Sequence, residues 1–264
     1  MFFDVIIAGA GLVGASLALA LRGSGLRVAL LEPRPVPAVP EDGSFDARVY
    51  AISPGSARFL DAGGAWSLID PARVAPVLEM QVRGDDGSSE LRFSAYDAGL
   101  PQLAFIAESR RLQQALWEAL RGQENLEVFC PASPAALELA EPRALLTLQD
   151  GRALEARLVV GADGAESWVR TQAGIPAQPR PYGQMGVVAN FETTVPHLGA
   201  ARQWFRRDGV LALLPLPGDR VSMVWSTWDE GAQELLALDA GALCARVEEA
   251  SGGAAGNLSV ITPA

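Results

Sequence analysis

Gly9-Ala10-Gly11-Leu12-Val13-Gly14 stands between an apolar run, Val5-Ile6-Ile7-Ala8, and a helix-like stretch over 15–21. Glycines at this spacing let backbone amides hold a pyrophosphate. Gly9 allows a tight turn out of a strand, Gly11 admits phosphates against the backbone, and Gly14 lets the helix pack on the strand. The helix N-terminus, with unpaired N–H groups and roughly half a unit of positive charge, then faces the anion. Glu32 closes the next apolar run, Val28-Ala29-Leu30-Leu31. About 20 residues beyond the central glycine, its carboxylate can accept hydrogen bonds from both hydroxyls of a ribose, and it would repel a 2′-phosphate. A glycine pattern alone also occurs in ordinary turns. Here strand, turn, helix, second strand and terminal acid agree on a dinucleotide-binding unit.

Other chemistries have little raw material. His197 is the single histidine, which disfavours histidine metal sites and Ser-His-Asp triads; after Pro196 it reads as an exposed loop residue. Cys130 and Cys244 lie far apart, and a disulfide framework is not expected, which makes the cytoplasm the default compartment. The leader Met1-Phe2-Phe3-Asp4 carries an acid where a signal peptide needs basic residues, and the apolar stretch behind it is short and glycine-broken for a membrane span. All 21 basic residues are arginine and the net charge is −10, which argues against binding nucleic acid. No metal site and no catalytic side chain is assigned.

A chain of 264 residues, 49% hydrophobic, can bury a core as one large domain or two small ones. After the first β-α-β unit, the segment from Pro33 to Gly43, with Pro35, Pro37 and Pro40, is a loop. Residues 46–53 read as extended, and Ser53 caps a helix with Pro54 at its first position and Gly63-Gly64 at its end. Residues 77–96 read as two strands around Gly84-Asp85-Asp86-Gly87. A helix follows from Ser109 with Leu112, Leu116 and Leu120 on one face, then a strand at 126–129 and an antiparallel excursion around Asp150-Gly151. Leu158-Val159-Val160-Gly161 reads as a buried parallel strand, with a helix over 167–173 behind its Asp163-Gly164 turn. The last third reads as strands at 186–194, 203–206, 210–214 and 221–227, followed by one helix over 232–250.

Asp163-Gly164, taken alone, is either punctuation or a site. In context, Gly161-Ala162-Asp163-Gly164-Ala165-Glu166-Ser167 resembles the Asp-Gly motif of flavoprotein aromatic hydroxylases, which supports both FAD and the nicotinamide cofactor. A more specific stretch is Asp46-Ala47-Arg48-Val49-Tyr50-Ala51-Ile52-Ser53, running on to Gly63 and Trp66. It is similar to the signature of the ubiquinone-biosynthesis hydroxylases. So is Glu108-Ser109-Arg110-Arg111-Leu112, where that family has Glu-Asn-Arg, and so are Arg206–Leu216 and Ser222–Ser226.

The resemblance spans nearly the whole chain and implies a para-hydroxybenzoate-hydroxylase fold. That is an α/β (α+β overall) architecture, with a Rossmann-like FAD-binding domain at 1–73 and 97–178 containing inserted strands, and a mostly antiparallel β substrate domain at 74–96 and 179–264. It implies FAD as cofactor, NAD(P)H and O2 as co-substrates, and hydroxylation of a prenylated phenol through a flavin C4a-hydroperoxide. The cofactor carries the difficult chemistry while the protein orients the ring and excludes water. By matched position Gly9, Gly11 and Gly14 hold the pyrophosphate, Glu32 the ribose, Arg48 and Arg110 the phosphate and ribityl portion, and Asp163 the dual-role turn. For Arg110 an exposed charge at a helix start is the competing reading, and Arg111 is its ambiguous neighbour. Trp204, Leu214, Pro215 and Trp225 fall near the substrate-domain sheet, where packing is the default role. Peripheral contact with the inner membrane and association with other ubiquinone-biosynthesis proteins are further implications, although no basic amphipathic helix marks a membrane site. Competing readings are a prenyl reductase, a halogenase, or a non-catalytic partner of quinone-pathway enzymes.

The family pattern continues with a Gly-Asp motif and a helix that hold the flavin end. Gly218-Asp219 and Gly84-Asp85 are not that motif, because each sits in a turn between strands. A chain truncated at its C-terminus, whether by cloning, proteolysis or gene ending, is therefore expected to bind FAD weakly. Gel filtration followed by an absorbance spectrum checks this, and a stoichiometric flavin band contradicts it.

Overall fold

The computed structural model describes residues 1–36, 38–40, 43–86 and 88–264. Pro37 of the proline loop and Gly87 of the hairpin turn lie outside the described residues. In chain order the elements are β1 (Phe2–Ala8), α1 (Leu12–Ala20), β2 (Val28–Leu31), β3 (Val49–Ile52), α2 (Pro54–Ala62), β4 (Val74–Val77), β5 (Glu79–Arg83) and β6 (Glu90–Ser94). Next come β7 (Ala104–Glu108), α3 (Ser109–Leu120), β8 (Leu126–Phe129), β9 (Pro134–Leu139), β10 (Ala144–Leu148), β11 (Ala153–Gly161) and α4 (Trp168–Gln172). The last third holds β12 (Gln184–Thr193), β13 (Ala200–Arg206), β14 (Gly209–Leu216), β15 (Arg220–Trp228), α5 (Asp229–Leu236), α6 (Ala240–Ala250) and β16 (Leu258–Thr262).

Packing divides the chain into one unit of 1–39, 59–68 and 112–179 and a second of 40–58, 69–111 and 180–264. Residues 40–58, 69–73 and 97–111 thus pack with the second unit, whereas the sequence boundaries set them in the first domain. The cause is a three-stranded sheet, β3-β7-β4. Its Ala75, Val77 and Ile106 share an apolar cluster with Ala201 and Leu216.

The first unit is built on a sheet ordered β8-β2-β1-β11-β10-β9. β8, β2, β1 and β11 run parallel, with Val5 opposite both Val28 and Leu158. Val28-Ala29-Leu30-Leu31 is buried at every position, as expected of a central parallel strand covered on both faces. β10 and β9 continue the sheet antiparallel. The expectation for Leu158 is corrected: it is 54% exposed. β11 pairs with β1 over 155–161 but with β10 only over 153–156, so among the described residues its second half is bonded on one side.

In the second unit the sheet order is β16-β12-β15-β14-β13-β5-β6, antiparallel except where β13 meets β5. Alternation along β15 sends Val221, Met223 and Trp225 to one face. They pack there with Phe191, Trp204, Leu213 and the apolar faces of α5 and α6 in the largest core cluster. Trp204 and Trp225 are core residues, and Pro215 is buried as well. Leu214, pointing the other way, packs beside the Ala75–Leu216 cluster.

Two further expectations are corrected. The segment 232–250 is two helices rather than one, because the Asp239 side chain accepts the Ala242 N–H at 2.8 Å and starts α6 afresh. His197 is half-buried and tied down. Its Nδ1 accepts the Gly199 N–H at 3.0 Å, so Nε2 carries the proton and lies 2.9 Å from the Leu216 carbonyl and 2.8 Å from that of Gly218. The cap at α6 gives a direct check. Asp239→Ala should lower stability by about 1 kcal/mol, and Asp239→Asn by much less, in urea denaturation.

Candidate functional site

In the first unit the two glycine-bearing motifs form one structure. Gly9 has φ +97°, a conformation open to glycine. A Cβ on it would collide with the carbonyl of Ala162. A Cβ on Gly14 would run into the Gly9 carbonyl oxygen and sit 3.2 Å from Ala162 Cβ. The Ala162 N–H donates to the Ala8 carbonyl at 2.8 Å, and the Gly9 N–H to Leu31 at 2.9 Å. α1 is therefore drawn against the ends of β1 and β11, and only glycine allows it.

Gly11 is different. A Cβ there meets no protein atom within 4 Å, and its backbone, at φ −65° and ψ −172°, suits any residue. Gly11 is the N-cap of α1, and no side chain caps that terminus. The first N–H groups of the helix are left for an external acceptor. Beside them the Glu32 carboxylate accepts the Ala10 N–H at 2.8 Å and the Arg34 N–H at 3.3 Å. Each oxygen keeps a lone pair for a hydroxyl donor. Burial, and then the Glu32 charge, push the Cys130 thiol up.

Asp163 faces α4. Its Oδ1 accepts the Ser167 hydroxyl at 2.5 Å and its Oδ2 the Val169 N–H at 3.0 Å, while Ser167 caps the Arg170 N–H at 3.0 Å. Burial alone would raise this carboxyl, but these hydrogen bonds outweigh it and hold Asp163 below the usual aspartate range.

Arg48 and Arg110 belong to the second unit, where a carboxylate pair organises them. The Arg48 N–H donates to Asp46 Oδ1 at 3.2 Å and the Arg110 N–H to Asp46 Oδ2 at 3.1 Å. Glu108, buried at 3% exposure, accepts the Asp46 N–H at 2.8 Å. It also accepts Nε of Arg73 at 2.8 Å and Nε of Arg111 at 2.9 Å. Arg111 is therefore an internal counter-ion, while the Arg110 side chain is half exposed. Arg48 is exposed and makes no ion pair among the described residues. Sequence reasoning named Arg48 and Arg110 but assigned no role to Asp46, Glu108 or Arg73. The Asp-x-Arg spacing at 46–48, which suits a side chain accepting the N–H two residues on, was the available signal for Asp46.

A family model described as FAD binding domain matches residues 3–239. The chain belongs to this FAD-binding-domain family. It is 35% identical over 249 residues to ubiquinone hydroxylase UbiL of Rhodospirillum rubrum, covering 94% of this chain and 57% of that protein. To the 3-demethoxyubiquinol 3-hydroxylase of Escherichia coli it is 34% identical over 223 residues, covering 84% of this chain and 56% of the relative. The chain thus spans just over half the length of these relatives. Among solved structures it superposes on P. aeruginosa PqsL in complex with 2-aminobenzoylacetate, with a TM-score of 0.77 and 26% identity over 99% of this chain and 73% of that one. It shares its fold with the flavin-dependent monooxygenase PieE at a TM-score of 0.71 and 17% identity, over 99% of this chain and 49% of the other.

The residues of the first unit fit the cofactor of the FAD-binding-domain family. An uncapped helix N-terminus, a bare Gly11 and a carboxylate at the end of β2 together offer anion and ribose contacts. No described helix is long and apolar enough to cross a membrane, and no described cluster of acids, cysteines and histidine could hold a metal ion.

The lowered Asp163 carboxyl sets a pH dependence. Its contribution to stability is complete above the ordinary aspartate range near pH 4 and is lost as pH falls through the lowered value. Asp163→Asn should cost about 1–2 kcal/mol at pH 7 in urea denaturation, with the gap to wild type closing in acid.

Proposed function

We propose that this chain is part of an FAD-dependent monooxygenase that hydroxylates a polyprenylated phenol in ubiquinone biosynthesis, with NAD(P)H and O2 as co-substrates. The names of the relatives and the Asp46–Trp66 signature support the substrate class, and membership of the family supports the cofactor. FAD supplies the redox and oxygen chemistry when bound. The chain's residues bind and orient. Gly9, Gly11 and Gly14 hold the pyrophosphate on the amides of α1, and Glu32 accepts the adenosine ribose hydroxyls. Arg48 and Arg110 supply cationic charge to the phosphate and ribityl portion. Asp163 keeps the turn behind the glycines in shape through its bonds to Ser167 and Val169. No side chain of the chain is assigned as a nucleophile or acid. The working location is the cytoplasm, with peripheral contact at the inner membrane where a lipid-soluble phenol resides and in company with other ubiquinone-biosynthesis proteins.

The observation that carries this reading is the contrast between Gly11 and Gly14. A methyl group at Gly11 would be free of protein contacts, and in the proposed site it would stand in the way of the phosphates. Gly11→Ala should lower the melting temperature of the cofactor-free chain by a few degrees at most, the cost of alanine at an N-cap, and weaken FAD binding at least tenfold in a fluorescence titration. Gly14→Ala should destabilise the fold itself. Unchanged FAD affinity in Gly11→Ala refutes the site. With FAD supplied, NAD(P)H oxidation stimulated by a prenylphenol separates the enzyme from a non-catalytic partner.

A further inference from the structure

We infer that Asp46 is a positioning residue that sets Arg48 and Arg110 for anion binding, with Glu108 as its buried anchor. This rests on the assignment of those two arginines to the cofactor. Every polar atom of Asp46 is engaged. Its N–H goes to Glu108 at 2.8 Å and its carbonyl accepts Asn190 Nδ2 at 3.0 Å. One carboxylate oxygen takes the Arg48 N–H and the other takes the Arg110 N–H. The Arg110 Nε lies 3.7 Å from that second oxygen, and the Asp46 side chain is only 10% exposed.

A single carboxylate thus ties the backbone of β3's leading residues to the first turn of α3, 64 positions along the chain. The Ser109 N–H closes the same link by donating to the Arg48 carbonyl at 2.9 Å. The segment that presents Asp46 is itself held. Arg73 donates to the Gly43 and Ser44 carbonyls at 2.8 Å each, its guanidinium lies 3.8 Å from the Phe45 ring centre, and Thr262 donates to the Phe45 carbonyl at 3.1 Å.

Two of the positive charges of this network, Arg48 and Arg110, reach solvent. Arg48, Arg73, Arg110 and Arg111 stand against Asp46 and Glu108, a surplus of two positive charges in a chain whose net charge is −10. Arg73 and Arg111 are consumed by Glu108. Arg110 spends its N–H on Asp46 but keeps a half-exposed guanidinium, and the exposed Arg48 is uncommitted among the described residues. The two carboxylate oxygens of Asp46 accept from main-chain N–H groups, and its ion pair with the half-exposed Arg110 guanidinium is long at 3.7 Å, so it fixes where the arginines start and leaves their heads open to an external anion.

The test is a set of FAD titrations by flavin fluorescence on the full chain, with melting curves of the cofactor-free proteins. Asp46→Asn keeps the main-chain contacts of residue 46 but offers one acceptor oxygen in place of two. It should weaken FAD binding about tenfold. In an Arg48→Ala/Arg110→Ala background the same change should have no further effect. A residue that merely stabilises the fold would lower the melting temperature and shift affinity equally in both backgrounds, which overturns the inference, as does wild-type affinity in Asp46→Asn. If the double arginine variant binds FAD like wild type, the assignment of the arginines fails first and this inference falls with it. Should Asp46→Asn not fold, Asp46→Glu serves the same comparison, since it keeps the charge and displaces the acceptor by one methylene.

Discussion

The close approach of three backbone segments at Gly9, Gly14 and Ala162 is the constraint on which the nucleotide end of this protein depends. A side chain on either glycine would collide with main chain, which cannot move without parting β1 from β11 or α1 from both. Once they meet, the N-terminus of α1 has nowhere to point but past the ends of the parallel strands. Gly11 keeps it bare, and Glu32 sits at the matching end of β2. The open N-terminus of α1 is thus a by-product of packing, and what it offers an anion is dipoles and amides. That suits a chain whose net charge is −10.

The second unit, taken by itself, carries exposed formal charge by a different device. Its cationic surplus is kept usable because two carboxylates are spent internally. Glu108 neutralises Arg73 and Arg111 in a buried setting, and Asp46 accepts the backbone N–H groups of Arg48 and Arg110 while pairing only at 3.7 Å with the Arg110 guanidinium. Burying a carboxylate is costly unless it is fully paired. Glu108 meets that condition with two guanidinium groups and one N–H, and the cost of removing any partner makes the network rigid. Donors held rigidly lose less entropy on binding any ligand.

Much of this was legible in the sequence where local pattern and global packing agree. The Gly-x-Gly-x-x-Gly turn, the run Val28–Leu31, the cap Ser53-Pro54 and the hairpin around residues 84–86 each follow from short-range rules. Misreadings arose where long-range contacts decide. Leu158 looked like a buried strand residue because its neighbours are apolar, but no sequence period reports that β10 stops pairing at residue 156. The 232–250 stretch reads as continuous helix because alanine and leucine favour it, but Asp239 starts a new helix by accepting the Ala242 N–H. The residues around His197 suggest an exposed loop, whereas carbonyls about twenty residues away hold its ring. The assignment of residues 40–58 and 97–111 to the second unit follows from β3-β7-β4 pairing. The roles of Asp46 and Glu108 depend on the same pairing, since Val49 lies opposite Glu108 across it.

In the proposed function the α1 turn and Glu32 together recognise an adenosine diphosphate whose ribose hydroxyls are free. Calorimetric titration of the chain with ADP-ribose and with its 2′-phosphorylated form tests this most directly. ADP-ribose is expected to bind, and the 2′-phosphate should bind at least tenfold more weakly, with the difference lost in Glu32→Gln. Equal affinity for the two ligands in the wild-type chain, or no binding of either, would contradict it.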